Sequence, residues 1–344
     1  PVSTPVATPS VGGADNPELI AKGELNNDGD IDLVTVNETD GTVSVLLSDG
    51  TGGFLSNTPY TAGTEPRHIA IGDLNGDTFN DLVVPNTGSL DVTVLINDGD
   101  GTFTELSSSP IDIDAIVTGA KPTAPIIADL DVDGFADIAI SNDVTNNVLI
   151  LLGDGAATPT FTPGTPIPVG TKPTSMAAGD VNNDTFTDLV TANFDSAGVS
   201  VLLNDGFGVF TDAAGSPFPS FARPWSIQIG LIDSDLIPDI ALANYNTSTR
   251  VRVYKGVGDG TFSLLSTTNV LANKPHSVEI TDLDGDSNAD IVVANDNELA
   301  SPVTADTTGV TALFGDGTGT NVTVTHYPLS GPPNGVVSLE LART

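Results

Sequence analysis

Short apolar runs recur along the chain, separated by polar and Gly-rich breaks. One run alternates: LIAKGEL from Leu19, HIAIGDL from His68, PIIADL from Pro125, SMAAGDV from Ser175, SIQIGLI from Ser226 and SVEITDL from Ser277. A second is almost wholly apolar: DLVTVN, DLVVPN, DIAISN, DLVTAN, DIALAN and DIVVAN, closing on Asn37, Asn86, Asn142, Asn193, Asn244 and Asn295. A third follows: VSVLLSDG, VTVLINDG, NVLILLGDG, VSVLLNDG, VRVYKGVGDG and VTALFGDG. Its Gly-rich end commonly leads to a Phe (Phe54, Phe103, Phe161, Phe210, Phe262), and a looser fourth run leads into G-x-x-P. Val, Ile and Thr enrichment, Gly/Asp punctuation and the lack of a helical period predict strands throughout.

Four short antiparallel strands in a repeat of about 50 residues are the blade of a β-propeller. The expected fold is therefore all-β, one propeller over residues 1–344 with six full repeats in 17–332. The repeat overrides the two or three domains that length alone would allow. PVATPSVGGADNP in 1–16 reads as a fourth strand with its crossover, and GVVSLELART in 333–344 reads as another first strand. These ends favour a seven-fold ring with an incomplete last blade; six-fold closure is the alternative. The repeated Phe is read as core between blades, and the recurring Asn as a turn cap or a left-handed residue.

Between the first and second runs lies an acidic signature, D-x-[DN]-x-D-x-x-x-D, beginning at residues 24, 73, 129, 180, 231 and 282. Oxygens at positions 1, 3, 5 and 9, with the position 7 carbonyl, suit the mixed cage that calcium prefers; magnesium demands a stricter octahedron. The strongest sets are Asp73, Asn75, Asp77, Asp81 with Phe79; Asp129, Asp131, Asp133, Asp137 with Phe135; Asp180, Asn182, Asp184, Asp188 with Phe186; and Asp282, Asp284, Asp286, Asp290 with Asn288. The first copy offers Glu24, Asn26, Asp28 and Asp32 with Asp30. The fifth has Leu231 at position 1, leaving Asp233, Asp235 and Asp239, so it should be the weakest or empty. Five to six structural Ca2+ ions are expected.

Charge sharpens this picture. Ten Lys and Arg face 45 Asp and Glu, a net charge of -35, which disfavours nucleic acid and anionic membrane as partners. Cysteine is absent, excluding disulfides and thiol chemistry. No apolar run approaches the roughly 18 residues of a membrane span. A chain starting at Pro1 without Met reads as a processed or trimmed product, and calcium loops point to an extracellular or cell-surface setting.

Half of the scarce cations border the crossover Pro: Arg67, Lys121, Lys172, Arg223 and Lys274. Ring closure would gather them on the face opposite the acidic loops, with Trp225, Tyr245 and His276. An aromatic beside a cation suits sugar stacking with hydrogen bonding. Bridging between blades is the structural alternative. No nucleophile, zinc or phosphate-loop motif is present, so an enzyme is not expected; a lyase or hydrolase built on His276, Tyr245 and Arg223 has no spacing support.

The acidic loops, GDGTF-type turns and G-x-x-P crossovers together resemble the FG-GAP/VCBS repeat β-propellers, which include the integrin α-subunit head and lectin-like bacterial surface proteins. The resemblance covers nearly the whole chain. It implies a non-catalytic adhesion or recognition module for a glycan or protein, with partner binding on the face opposite the calcium loops. A structural surface protein that self-assembles through its terminal strands is the alternative.

Overall fold

The computed structural model describes residues 17–220, 223–245, 250–270, 275–295, 309–320 and 323–328. These form six antiparallel sheets in chain order, each a meander of four strands. In the second, third and fourth blades the outermost strand is broken, as in Phe103–Glu105 and Ile111–Asp112, both paired to Asp91–Asn97. Helix is almost absent among the described residues, a single turn at Ile113–Ile116.

The innermost strands are Pro17–Gly23, Ala70–Gly72, Pro122–Ala128, Pro173–Gly179, Pro224–Gly230 and Pro275–Thr281. The second strands, Asp32–Asn37, Asp81–Asn86, Asp137–Asn142, Asp188–Asn193, Asp239–Asn244 and Asp290–Asn295, are buried nearly throughout, and in the second to fifth blades both faces meet a neighbouring blade. That explains their continuous apolar pattern. Alternate residues divide between two cores. Ile138 and Ile140 pack with Val83, Val92 and Val94 of the second blade, while Ala139 packs with Met176, Leu189 and Leu202 of the fourth. Five such cores join successive blades from the first to the sixth. Phe103 and Phe210 are buried in them and Phe161 and Phe262 lie against them, as expected of the repeated Phe.

Among the described residues the ring has six blades, the stated alternative to the favoured seven. The seam between the last blade and the first differs from most of the others. At four other seams a Gly ending one innermost strand receives an Ile from the next: Gly23 meets Ile71, Gly72 meets Ile127, Gly179 meets Ile229 and Gly230 meets Ile280. A Cβ on these glycines would lie 2.9 to 3.2 Å from the Ile methyl carbon, so a side chain there would force the strands apart. In the sixth blade Thr281 holds the Gly position, and in the first Lys22 holds the Ile position. Lys22 Nζ donates to Glu279 Oε1 at 3.0 Å, linking the first blade to the sixth. The terminal segments that suggested a seventh blade, 1–16 and 333–344, lie outside the described residues. The face of the sixth sheet turned away from the fifth keeps an apolar cavity of about 450 Å3, lined by Leu283, Val292, Val310, Ala312, Phe314 and Tyr327.

The recurring Asn has a clearer role than a turn cap. All six are buried, and the side chains of Asn37, Asn86, Asn142, Asn193 and Asn295 tie the second strand to the third. Asn37 Nδ2 donates to Thr42 and Ser44, Asn86 to Asp91 and Thr93, and Asn193 to Ser200. The left-handed residues of these turns fall further on, at Leu90, Asn146 and Ala197.

Candidate functional site: the acidic loops and the opposite face

The acidic loops sit at one end of the ring. Position 9 does a job that the sequence pattern did not separate from ligation. Asp32, Asp81, Asp137, Asp188, Asp239 and Asp290 are fully buried. One carboxylate oxygen accepts from the N–H of position 2, as from Leu74 to Asp81 at 2.8 Å. The other accepts from the end of the third strand, as from Asn97 N to Asp81 at 2.8 Å. The same pair of bonds recurs in every blade. Position 9 is thus a clamp between the acidic loop and the third strand. Burial, ahead of the opposing backbone donors, pushes Asp81, Asp137 and Asp188 up to about 6.

Positions 1, 3 and 5 divide by the residue at position 3. Where it is Asn, its amide donates to position 5: Asn26 to Asp28 at 2.8 Å, Asn75 to Asp77 at 2.9 Å and Asn182 to Asp184 at 2.7 Å. Position 1 folds inward onto loop N–H groups, as Glu24 does with Asn26, Asp28 and Gly29. Where position 3 is Asp, carboxylates gather instead. Asp129, Asp131 and Asp137 place oxygens within 4.8 Å of one another, and so do Asp282, Asp284 and Asp290. Burial, then the charges of Asp133 and Asp129, raise Asp131 above the usual carboxylate range. An oxygen-seeking dication suits these two loops best among the described residues. Position 5 accepts from the N–H of position 7 in each loop, as Asp133 does from Phe135 and Asp286 from Asn288.

The side chain at position 7 also matters. Phe79, Phe135 and Phe186 cover Gly99, Gly155 and Gly206 of the turn after the third strand, all at positive φ. A Cβ would meet the ring at 2.6, 1.8 and 2.5 Å respectively, which is why these turns need Gly.

The fifth loop departs from the others. Leu231 is 48% exposed at position 1, and Lys255 forms ion pairs with Asp233 and, at 2.6 Å, with Asp235.

On the opposite face, strand register corrects the grouping of the cations. Pro66, Pro122, Pro173, Pro224 and Pro275 each face the Asn ending the second strand of their own blade. Lys121, Lys172 and Arg223 precede that Pro, but Arg67 follows it and takes the place held by Trp225 and His276; Glu65 takes the lysine place. Arg67 reaches back to Glu38 of the first blade, 2.9 Å from Nε and 2.6 Å from Nη2, the bridge between blades that was the structural alternative. Trp225 and His276 reach back the same way. Trp225 meets Phe194 of the fourth blade edge-on with centroids 5.4 Å apart, and His276 meets Tyr245 of the fifth at 5.1 Å. Trp225 also lies 5.4 Å from Tyr245 and 5.1 Å from His276. Lys172 and Arg223 stand over the Phe194 ring at 5.0 and 5.1 Å. Phe194 is buried; Trp225, Tyr245 and His276 are half-buried, and Arg223 is exposed. Lys121, with Lys172 and Arg67, acts on Asp143, whose pKa burial nonetheless raises. Lys274 lies outside the described residues.

His68 follows Arg67 at the start of the second blade. Its surface is partly open, yet it sits deep among protein atoms. Desolvation, reinforced by Arg67, pulls it down to about 4.

Similar solved structures confirm the architecture. The chain is similar to a candidate 6-phosphogluconolactonase from Bacteroides fragilis, at 17% identity and TM-score 0.65 over 96% of this chain and 88% of that one. A protein from Lactobacillus plantarum matches at 16% and 0.64, covering 92% and 86%. A virginiamycin B lyase from Staphylococcus aureus matches at 11% and 0.59, covering 94% and 87%. At such identities the likeness is one of fold alone. No curated protein matches the chain. The FG-GAP-like repeat model matches five times, over residues 25–84, 73–140, 129–191, 180–242 and 232–293, each match running from one acidic loop into the next blade. With six antiparallel blades joined through these loops, the chain belongs to the FG-GAP-like repeat β-propellers.

Proposed function

We propose that this propeller is a non-catalytic recognition module of the cell surface or extracellular medium, stiffened by calcium in its acidic loops. It would bind a glycan or protein ligand on the aromatic face. One observation carries the reading: Phe194, Trp225, Tyr245 and His276, from three successive blades, form a single aromatic cluster with Lys172 and Arg223 over Phe194. In a chain of net charge -35, this puts scarce cations beside half-open rings. Such rings stack on the apolar face of a sugar or seat an apolar side chain, while the cations bind acceptor oxygens.

Screening the protein on a glycan array, then titrating the best ligand into wild type and Trp225→Ala, tests this. Loss of one stacking partner should weaken binding about tenfold with the melting temperature little changed. Equal affinity in the variant, or a collapse of its fold, would return Trp225 to the role of packing between blades. Turnover of the captured polysaccharide, lost in His276→Ala, would replace the module by a lyase or hydrolase. Calcium-dependent growth of the hydrodynamic radius without any ligand would favour the self-assembling surface protein.

A further inference from the structure

The fifth acidic loop carries a feature that the other five lack. The third-strand residue just after the one paired to the start of the second strand is Leu47, Ile96, Leu152, Leu203 and Phe314 in the other blades, and Lys255 in the fifth. At three seams this apolar side chain meets a turn glycine of the next blade: Gly101 on Leu47, Gly208 on Leu152, Gly260 on Leu203. At the fifth seam Gly319 lies against Leu265 instead. Leu265 is the extra residue of a β-bulge, skipped where Val253 pairs with Ser266 and Tyr254 with Leu264. The bulge fills the vacated apolar seat, and Lys255 turns its ammonium to the acidic loop. There it pairs with Asp233, whose side chain is 7% exposed, and with Asp235 at 2.6 Å. In the same loop position 1 is Leu231, which has no oxygen to offer.

We infer that Lys255 is the resident cation of the fifth loop, standing where a dication would stand and closing that loop to metal. Three departures from the repeat coincide: a lost position 1 carboxylate, a gained ammonium, and a bulge that makes room for it. Without Lys255, Asp233 and Asp235 would repel each other; with Lys255 beside an intact position 1 carboxylate, a dication and an ammonium would compete for one cage. The seam is then latched without calcium, since Asp233 also bridges to Thr318 of the sixth blade. This seam underlies Tyr245 and His276, so that part of the aromatic face should keep its form in a calcium-free medium.

The inference rests on the calcium reading only where ions are counted. Native mass spectrometry and anomalous diffraction would compare wild type with Leu231→Asp/Lys255→Leu. The wild type should hold no calcium in the fifth loop, and the double variant one ion more than the wild type. Calcium at Asp233 in the wild type, or a folded double variant with an unchanged count, would overturn the assignment. If no loop of the wild type binds calcium, the metal reading fails by itself. Lys255 is then judged by unfolding in EDTA: Lys255→Met should lower the melting temperature, and the drop should vanish in an Asp233→Asn/Asp235→Asn background. An equal drop in both backgrounds would overturn it.

Discussion

Single residues set the tolerances of each blade. Gly206 sits at φ +80 beneath the Phe186 ring, 2.5 Å from where a Cβ would be. Gly206→Ala should therefore destabilise by about 2 kcal/mol or more, from the left-handed backbone and the crowded ring together. Urea unfolding checks this, and Phe186→Leu should recover part of the loss. His68 makes a pH prediction. Its folded pKa of about 4 lies below the ordinary 6.5, so the unfolded chain binds more protons between those values. The contribution is whole above about pH 6.5 and is lost as pH falls toward 4. Discounted for the partly open ring, it amounts to roughly 1–3 kcal/mol. Because the buried carboxylates titrate in the same window with the opposite sign, wild type must be compared with His68→Gln. The gap between their unfolding midpoints should close as pH drops from 7 to 4.5.

At the scale of the element, the acidic loop is first a folding device. The position 9 Asp receives one backbone N–H from its own loop and one from the third strand, so it fixes the hairpin before any ion arrives. Asp137→Asn keeps the shape but turns one acceptor toward a backbone donor as an NH2. It should cost about 1–3 kcal/mol in EDTA, the loss expected for a buried amide without an acceptor. A variant as stable as the wild type in metal-free urea titrations would show that the clamp is redundant. The Asn ending the second strand, as Asn37, Asn86 and Asn193 do, plays the matching part at the other end of the hairpin.

For the whole molecule, closure is the weak point, because the seam from the sixth blade to the first exchanges an Ile-over-Gly contact for the Lys22–Glu279 pair. Lys22→Glu should lower stability by about 1–2 kcal/mol by setting like charges together, and Lys22→Glu with Glu279→Lys should restore most of it. Differential scanning calorimetry of the two variants decides this; equal melting points would mean that the pair does not hold the ring. Calcium removal acts on the same scale. An ion at 100 times its dissociation constant adds about 2.7 kcal/mol per independent site, so verified chelation should lower the melting temperature markedly. An unchanged curve in EDTA would dismiss the staple role.

The sequence by itself determined the strands, their order within a blade and the repeat, because alternation, turn residues and the acidic spacing are local properties. DIVVAN and its five counterparts declare a doubly covered strand wherever they stand. It also supplied the candidate ligands and the cations beside the crossover Pro. Which residues face each other across a seam was decided by the tertiary structure. Ring closure pairs Lys22 with Glu279, 257 residues away, and sets Trp225 of one blade on Phe194 of another. Arg67 looked equivalent to Lys121 because both adjoin a Pro, yet strand register puts it in the place of Trp225. Lys255 read as a strand residue, and only the tertiary structure sets its ammonium on Asp233 and Asp235 of the acidic loop. Contacts between residues far apart in the chain depend on how many blades close the ring and in what register, and no local pattern encodes either.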